Sequence, residues 1–162
     1  MRLKLVNGEI YHICNKSIAN FRIFNSDINS FRFLKTIDYY NKEQVWTSFS
    51  TVLKKKDGYQ YRNIVDQRKD ALIKILSYCI MPDHYHILFK VISEKLISKY
   101  INDIENSYTR YFNLKYNRKG PLWQSGYRAV AVTSDEQLLH LSRYIHLNPT
   151  TSSLVENPID WQ

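Results

Sequence analysis

His84 and His86 flank Tyr85 at the start of the apolar run His84-Tyr85-His86-Ile87-Leu88-Phe89. Residues two apart in a strand point to the same side, so this run presents two imidazoles together, half of a divalent-metal site. The bland alternative leaves one histidine satisfied in the core and the other in solvent. A second candidate set lies in Arg143-Tyr144-Ile145-His146-Leu147-Asn148-Pro149. On a helix Tyr144 and Asn148 stand one turn apart on one face, His140 extends that stripe by a turn, and Leu138, Leu141 and Ile145 form an adjacent apolar face. A phenol can act as a nucleophile, and a stripe containing Tyr and Asn can face a site. Taken alone, the stripe also fits a half-buried packing tyrosine and an asparagine that ends a helix before proline.

A third pattern concerns binding rather than bond-making. No acidic residue occurs between Asn106 and Ser134, while Arg110, Lys115, Arg118, Lys119 and Arg128 alternate with Tyr108, Tyr111, Tyr116, Trp123 and Tyr127. Cations for phosphates and rings for unstacked bases are what a single nucleic-acid strand requires. About half of those rings belong to a core, chiefly Tyr111 among the tyrosines, and Tyr116 and Trp123 are the expected DNA contacts. The whole chain carries 23 Lys and Arg against 15 Asp and Glu, a formal charge of +8, which favours a polyanionic partner. A general compositional drift toward lysine is the competing explanation of that charge, and the clustering is what argues against it.

The frame that must hold these residues is one domain, since 162 residues can bury a real core but scarcely two. With 44% apolar residues, 23% charged residues and only four Gly and four Pro, the chain is expected to fold throughout. Cys14 and Cys79 form no C-x-x-C pair, so neither a disulfide scaffold nor a cysteine zinc site is expected, and a reduced, cytoplasmic setting is. No apolar run approaches the roughly 18 residues of a membrane span, so a soluble protein is expected.

A loose alternation over residues 9–15 predicts a first strand. Ser26 and Asp27 offer caps for a first helix in which Ile28, Phe31, Leu34 and Ile37 recur every three residues. Residues 43–69 stay open between strand and helix around a basic turn at Lys54-Lys55-Lys56-Asp57-Gly58. Two strands, 72–80 and 84–92, follow about a tight turn holding Pro82. A long helix runs from Ser93 through Phe112 with Glu94 in its first turn, a strand spans 127–133, and Ser134 and Gln137 form a capping box. The last helix spans 135–147 and is expected to stop at Asn148-Pro149. The order β, α, β, β, α, β, α predicts an α+β fold with helices packed on an antiparallel or mixed sheet.

Together, Tyr78-Cys-Ile-Met-Pro-Asp-His84-Tyr-His86-Ile-Leu and Leu138-Leu-His-Leu-Ser-Arg-Tyr144-Ile-His-Leu-Asn148-Pro149 resemble the metal strand and catalytic helix of HUH single-tyrosine transposases, especially the REP-associated branch. The likeness extends to Tyr11-His-Ile-Cys-Asn15, Tyr108-Thr-Arg-Tyr-Phe-Asn113 and Gly120-Pro-Leu-Trp-Gln124, and is weakest over 43–69. It implies a ferredoxin-like sheet with the histidine strand central. It further implies that Tyr144 is the nucleophile, forming a 5′-phosphotyrosine, and that Asn148 completes a Mg or Mn site with His84 and His86. Single-stranded DNA, hairpin-forming in this branch, is the implied substrate. The chain departs from the family where the first-strand exit reads Asn15-Lys16-Ser17 instead of Asn-Arg-Gly, and where Gly126 replaces a common basic residue. Both departures touch expected DNA contacts, Lys16 among them, and bear on which sequence is bound. Members resembling this chain occur as monomers and as dimers, and the sequence does not choose.

The residue types suit that chemistry. A cation that polarises the anionic oxygens of a phosphodiester removes much of the barrier to attack. Two neutral imidazoles and an amide leave the ion its full charge at the cost of modest affinity. A phenol, with a pKa near 10, leaves more readily than an alkyl alcohol, so the covalent bond can be reversed. Two other readings compete. One is a domesticated nucleic-acid-binding protein of the same fold that cuts nothing. The other is a small metal hydrolase, disfavoured because alternation points Asp83 away from the histidine side and leaves no carboxylate as general base.

Overall fold

The structure, a computed structural model, describes residues 3–54 and 71–161. Four strands form one sheet: β1 (Ile10–Lys16), β2 (Ile73–Ile80), β3 (His84–Val91) and β4 (Arg128–Val132). Their order is β2-β3-β1-β4, and every neighbouring pair is antiparallel. With helices α1 (Asp27–Tyr40), α2 (Phe49–Lys54), α3 (Ile97–Lys115) and α4 (Asp135–Thr151), the chain follows the β-α-β-β-α-β course of a ferredoxin-like fold, with α2 and α4 additional to it. The α+β class and the central place of the histidine strand are as expected.

Alternation along β3 divides the core in two. Tyr85, Ile87 and Phe89 join Tyr11, Ile13, Phe33, Ile104 and Tyr108 in the larger cluster, beneath α1 and α3. Leu88 instead joins Cys79, Met81, Val132 and Ile145 in a smaller cluster beneath α4. His84 and His86 share the face of Leu88. Buried Glu105 of α3 anchors the opposite face, its Oε1 accepting hydrogen bonds from Asn15 Nδ2 and Tyr85 Oη at 2.8 Å each. Phe33 of α1 is fully buried and packs its ring on Phe24, Tyr85, Tyr108 and Trp123. Phe33→Ala is therefore expected to cost about 3–5 kcal/mol in urea denaturation, with the larger cluster loosening, since the void sits where four aromatic rings meet.

Three boundaries or faces differ from expectation. Ser26 does cap α1, accepting from the Asn29 N–H, but Ile28 and Phe31 are exposed at 69% and 57% while Asn29, Arg32, Phe33 and Thr36 are buried. A strict three-residue spacing falls about 60° short of a turn at each step, so a run of four rotates off its own face. Polar residues occupy the inward side because they find partners there: Asn29 donates to the Ile23 carbonyl and accepts from Tyr111 Oη, and Thr36 Oγ1 donates to the Arg32 carbonyl. α3 begins at Ile97 rather than Ser93, and Glu94 lies ahead of it, accepting from the Asn7 N–H. α4 runs through Pro149 to Thr151. Burial of Asn148 and Pro149 against the fold, with Ser152 N–H donating to the Asn148 carbonyl at 3.0 Å, outweighs the local bias of a residue before proline.

Ser134 and Gln137 cap α4 as expected, Ser134 Oγ accepting from the Gln137 N–H and Gln137 Oε1 from the Thr133 N–H. Most of the basic turn expected at 54–58 falls outside the described residues. Among the described residues, no helix is long and apolar enough to cross a membrane.

Candidate active site

β3 sits between β2 and β1, and its register brings a cluster together around His86. Cys14 of β1 and Cys79 of β2 stand opposite His86, Lys16 opposite His84, and His12 opposite Leu88. Paired residues share a face, so His12, Cys14 and Lys16 line the histidine side. Arg128 and Val130 extend it, paired with Cys14 and His12. Both are exposed, which leaves the β1–β4 half of this face open to solvent. α4 lies mainly over β2, with a lesser contact to β3.

Each imidazole has one nitrogen engaged. His84 Nδ1 lies 2.5 Å from Asp83 Oδ1, and the other oxygen of that carboxylate is 3.2 Å from Lys16 Nζ. Burial raises the Asp83 carboxyl, but the bonds from His84 and Lys16 outweigh it and hold the group below its ordinary value. The expectation that Asp83 points away from the histidines is thus corrected. Asp83 precedes β3 in the turn, where strand alternation does not apply, and its side chain folds back onto His84. His86 Nδ1 lies 2.9 Å from His12 Nε2, the two rings meeting edge to edge with their planes 14° apart. His86 Nε2 is buried with no hydrogen-bond partner among the described residues.

The electrostatics keep His86 and His12 uncharged. Burial, then the neighbouring His84 and His12, push His86 down to about 3, and burial lowers His12 as well. Both rings are accordingly neutral at pH 7, the form a metal ligand needs. The cysteines on either side are pushed upward, Cys79 by burial to about 11 and Cys14 by burial partly offset by Arg128. They stand beside His86 as neutral thiols.

α4 brings the phenol to this face. Ile145 is fully buried and locks the helix onto the smaller cluster, and the residue before it projects along the sheet toward β3. The Tyr144 ring meets the His86 ring edge to face, at 5.5 Å between centroids and 85°, and His86 in turn meets His84 at 5.0 Å and 86°. Tyr144 is 45% exposed, whereas Asn148, one turn on, is 6% exposed, its Oδ1 facing Ser152 Oγ at 3.5 Å. His140 is exposed. The structure thus brings His84, His86 and Tyr144 together within one chain, and sets Asn148 on the buried side of the same helix.

The expected DNA contacts are dispersed. Lys16 and Arg128 lie on the histidine face, Lys16 paired with Asp83. Arg110 and Lys119 are exposed. Lys115 Nζ donates to Asn29 Oδ1 and Tyr111 Oη, and half-exposed Tyr116 accepts from Asn29 Nδ2. Arg118 closes its own loop by donating to Asn113 Oδ1 and to the Gly120 and Pro121 carbonyls. Trp123 is half-buried among Phe24, Phe33, Tyr85 and Tyr108, its indole N–H donating to the Glu105 carbonyl. That ring is committed to packing, because an indole at this turn covers the end of the larger cluster. Tyr111, expected inside, is partly buried against the same cluster, and Tyr108 is fully buried. The loop of Arg118 and Lys119 is tied to the site end of β1 through Ile18 N–H to the Leu122 carbonyl and Gln124 N–H to the Lys16 carbonyl. Ser17, at the departure from the usual glycine, is extended with φ −67° and needs no glycine freedom.

Two residues of the cluster went unassigned in the sequence, His12 and Asp83. Neither carries a local signal: His12 becomes visible only once the β1–β3 register is known, and Asp83 only once its turn is.

Residues 44–148 match the family described as IS200-like transposases. The chain belongs to that family. The match takes in the stretch 43–69 almost whole, which had read as the least similar, and leaves β1 outside. Among solved structures, the transposase resembles a REP-associated tyrosine transposase determined bound to a REP hairpin, at 15% identity over 99% of this chain and 78% of that one, with a TM-score of 0.63. A proposed transposase from Deinococcus radiodurans R1 aligns at 14% identity over 90% of this chain and 94% of the other, with a TM-score of 0.48. At such identity the first likeness speaks to the fold, and it agrees with the sheet order found here. No curated protein matches the chain.

Proposed function

We propose that this transposase is a metal-dependent endonuclease and strand transferase for single-stranded DNA, with Tyr144 as the nucleophile. The observation that carries the reading is the edge-to-face meeting of the Tyr144 and His86 rings at 5.5 Å, half open to solvent, beside an unfilled sheet face. Attack by Tyr144 Oη on phosphorus would form a P–Oη bond and break the bond to the 3′-oxygen. The phenol proton goes to water, the departing 3′-oxygen takes one up, and a 5′-phosphotyrosine is left. Reversal by a 3′-hydroxyl transfers the strand and frees the phenol without a nucleotide cofactor.

A Mg or Mn ion fits the donor set. His84 and His86 each present Nε2 while Nδ1 is engaged by a neighbour, the arrangement that metal-bound histidines favour. His86 Nε2 is a buried polar atom without a partner. Among the described residues no three His, Cys, Asp or Glu side chains form a metal group, so the two imidazoles would be joined by the Asn148 amide oxygen and by oxygens of water and DNA. When bound, the ion would polarise the phosphate oxygens and stabilise the charge that builds on them. His86, held neutral by burial, leaves that charge undiminished. Asp83 holds His84 in one tautomer, and Asp83→Asn is expected to weaken Mn binding about 10- to 100-fold by calorimetry while freeing Lys16.

Exposed Arg110, Lys119 and Arg128, with Tyr116, supply cations and one ring for a strand, and a REP hairpin is the ligand of the structural relative. The test is to incubate hairpin-bearing single-stranded DNA with Mn and the protein, and to seek a protein–DNA adduct on a denaturing gel. Adduct mapping to the Tyr144 peptide supports the reading. Binding without any adduct, across Mg and Mn, would leave a non-catalytic DNA-binding protein instead.

A further inference from the structure

We propose that His12 of β1 is a positioning residue that accepts the Nδ1 proton of His86 and so turns the bare Nε2 lone pair of His86 toward the reaction centre. The inference rests on the metal-and-tyrosine reading of the site, and it adds a residue from a strand that the family match does not reach.

The geometry is specific. His12 Nε2 and His86 Nδ1 are 2.9 Å apart, their rings meet edge to edge with planes 14° apart and centroids 5.1 Å apart, and the two residues are 9% and 7% exposed. Two neutral imidazoles can place only one proton between facing nitrogens, so just two arrangements exist. With the proton on His86, its far nitrogen is an acceptor; with the proton on His12, that far nitrogen is an N–H. His86 Nε2 is buried and has no partner among the described residues, and a cation bound there requires the arrangement that leaves this nitrogen a lone pair. The first arrangement therefore prevails, and a lone pair awaits a cation. His84 reaches the same state by a different partner, the Asp83 carboxylate. The imidazole of His12 does for His86 what a carboxylate does for His84, without placing a negative charge among the buried residues between β1 and β3.

Two variants separate support from packing. His12→Leu fills the space and removes the acceptor; His12→Gln keeps an acceptor oxygen. With manganous chloride as the probe and free Mn read by electron paramagnetic resonance, His12→Leu is expected to bind about 10- to 100-fold more weakly. His12→Gln should recover most of that loss, and both should melt as two-state proteins. In the metal-free protein, long-range proton–nitrogen correlation spectra, with His86 assigned by its loss in His86→Gln, should show the proton on Nδ1 and a bare Nε2. A proton found on Nε2 overturns the proposal. So does unchanged Mn affinity in His12→Leu while His86→Ala abolishes binding. If the wild-type protein binds no Mn, the metal reading falls by itself, and the tautomer of His86 still decides the role of His12.

Discussion

Tyr144→Phe should give no covalent protein–DNA adduct, and strand cleavage should fall by at least about a thousandfold, the scale on which loss of a nucleophile is felt. The fold should be untouched. The phenol is half exposed and makes its contact with His86 through the ring, which phenylalanine keeps, so the melting temperature should move by no more than about 2 °C. Hairpin binding, read by gel shift, should stay near wild type, since the cationic residues are elsewhere. Tyr108 and Tyr127, which also lie among basic residues, are 0% and 6% exposed, and Tyr116, as exposed as Tyr144, accepts from Asn29 of α1. Persistence of the adduct in Tyr144→Phe would mean that another phenol attacks and that the ring pairing with His86 is incidental.

Removal of the ion is expected to have a comparable effect. Cleavage by the wild-type protein should fall by about a thousandfold in EDTA, as when a fixed charge facing a developing oxyanion is removed, and should return on adding Mn. His86→Ala should show the same loss with no rescue by Mn, at a stability cost of about 1–3 kcal/mol because the buried His12 ring loses its partner. Cleavage unaffected by EDTA would end the metal reading and leave Tyr144 to work with protein groups alone.

What could be read in the sequence was whatever is written locally. The alternation about His84 and His86 placed both imidazoles on one face of a strand, and the caps at Ser26 and Ser134 located the starts of α1 and α4. Four-residue spacing set Tyr144 and Asn148 on one helix. Features decided by tertiary contacts were not legible. Nothing near Ile28 or Phe31 says that Asn29 and Arg32 will take the inner side of α1, because their partners arrive from α2 and α3. Trp123 looked like a base-stacking ring because it follows a basic loop, yet its neighbours come from four other segments. Pro149 looked like a stop because the local rule ignores what burial against the sheet can outweigh. The His12 contact needed the strand register, a relation between residues 74 positions apart.

The phenol and both imidazoles belong to a single polypeptide, since the Tyr144 ring reaches His86 without help from a second copy. With Tyr144 as the proposed nucleophile, a site assembled in this way would hold one attacking oxygen among the described residues. Once that oxygen is esterified, the molecule is spent until an incoming hydroxyl discharges it, so two cuts made by one molecule must be separated in time. Moving a DNA segment, which requires cuts at both of its ends, would then proceed either by alternating rounds on one molecule or by two molecules each working its own end. Counting phosphotyrosines per protein chain in trapped reactions distinguishes these itineraries.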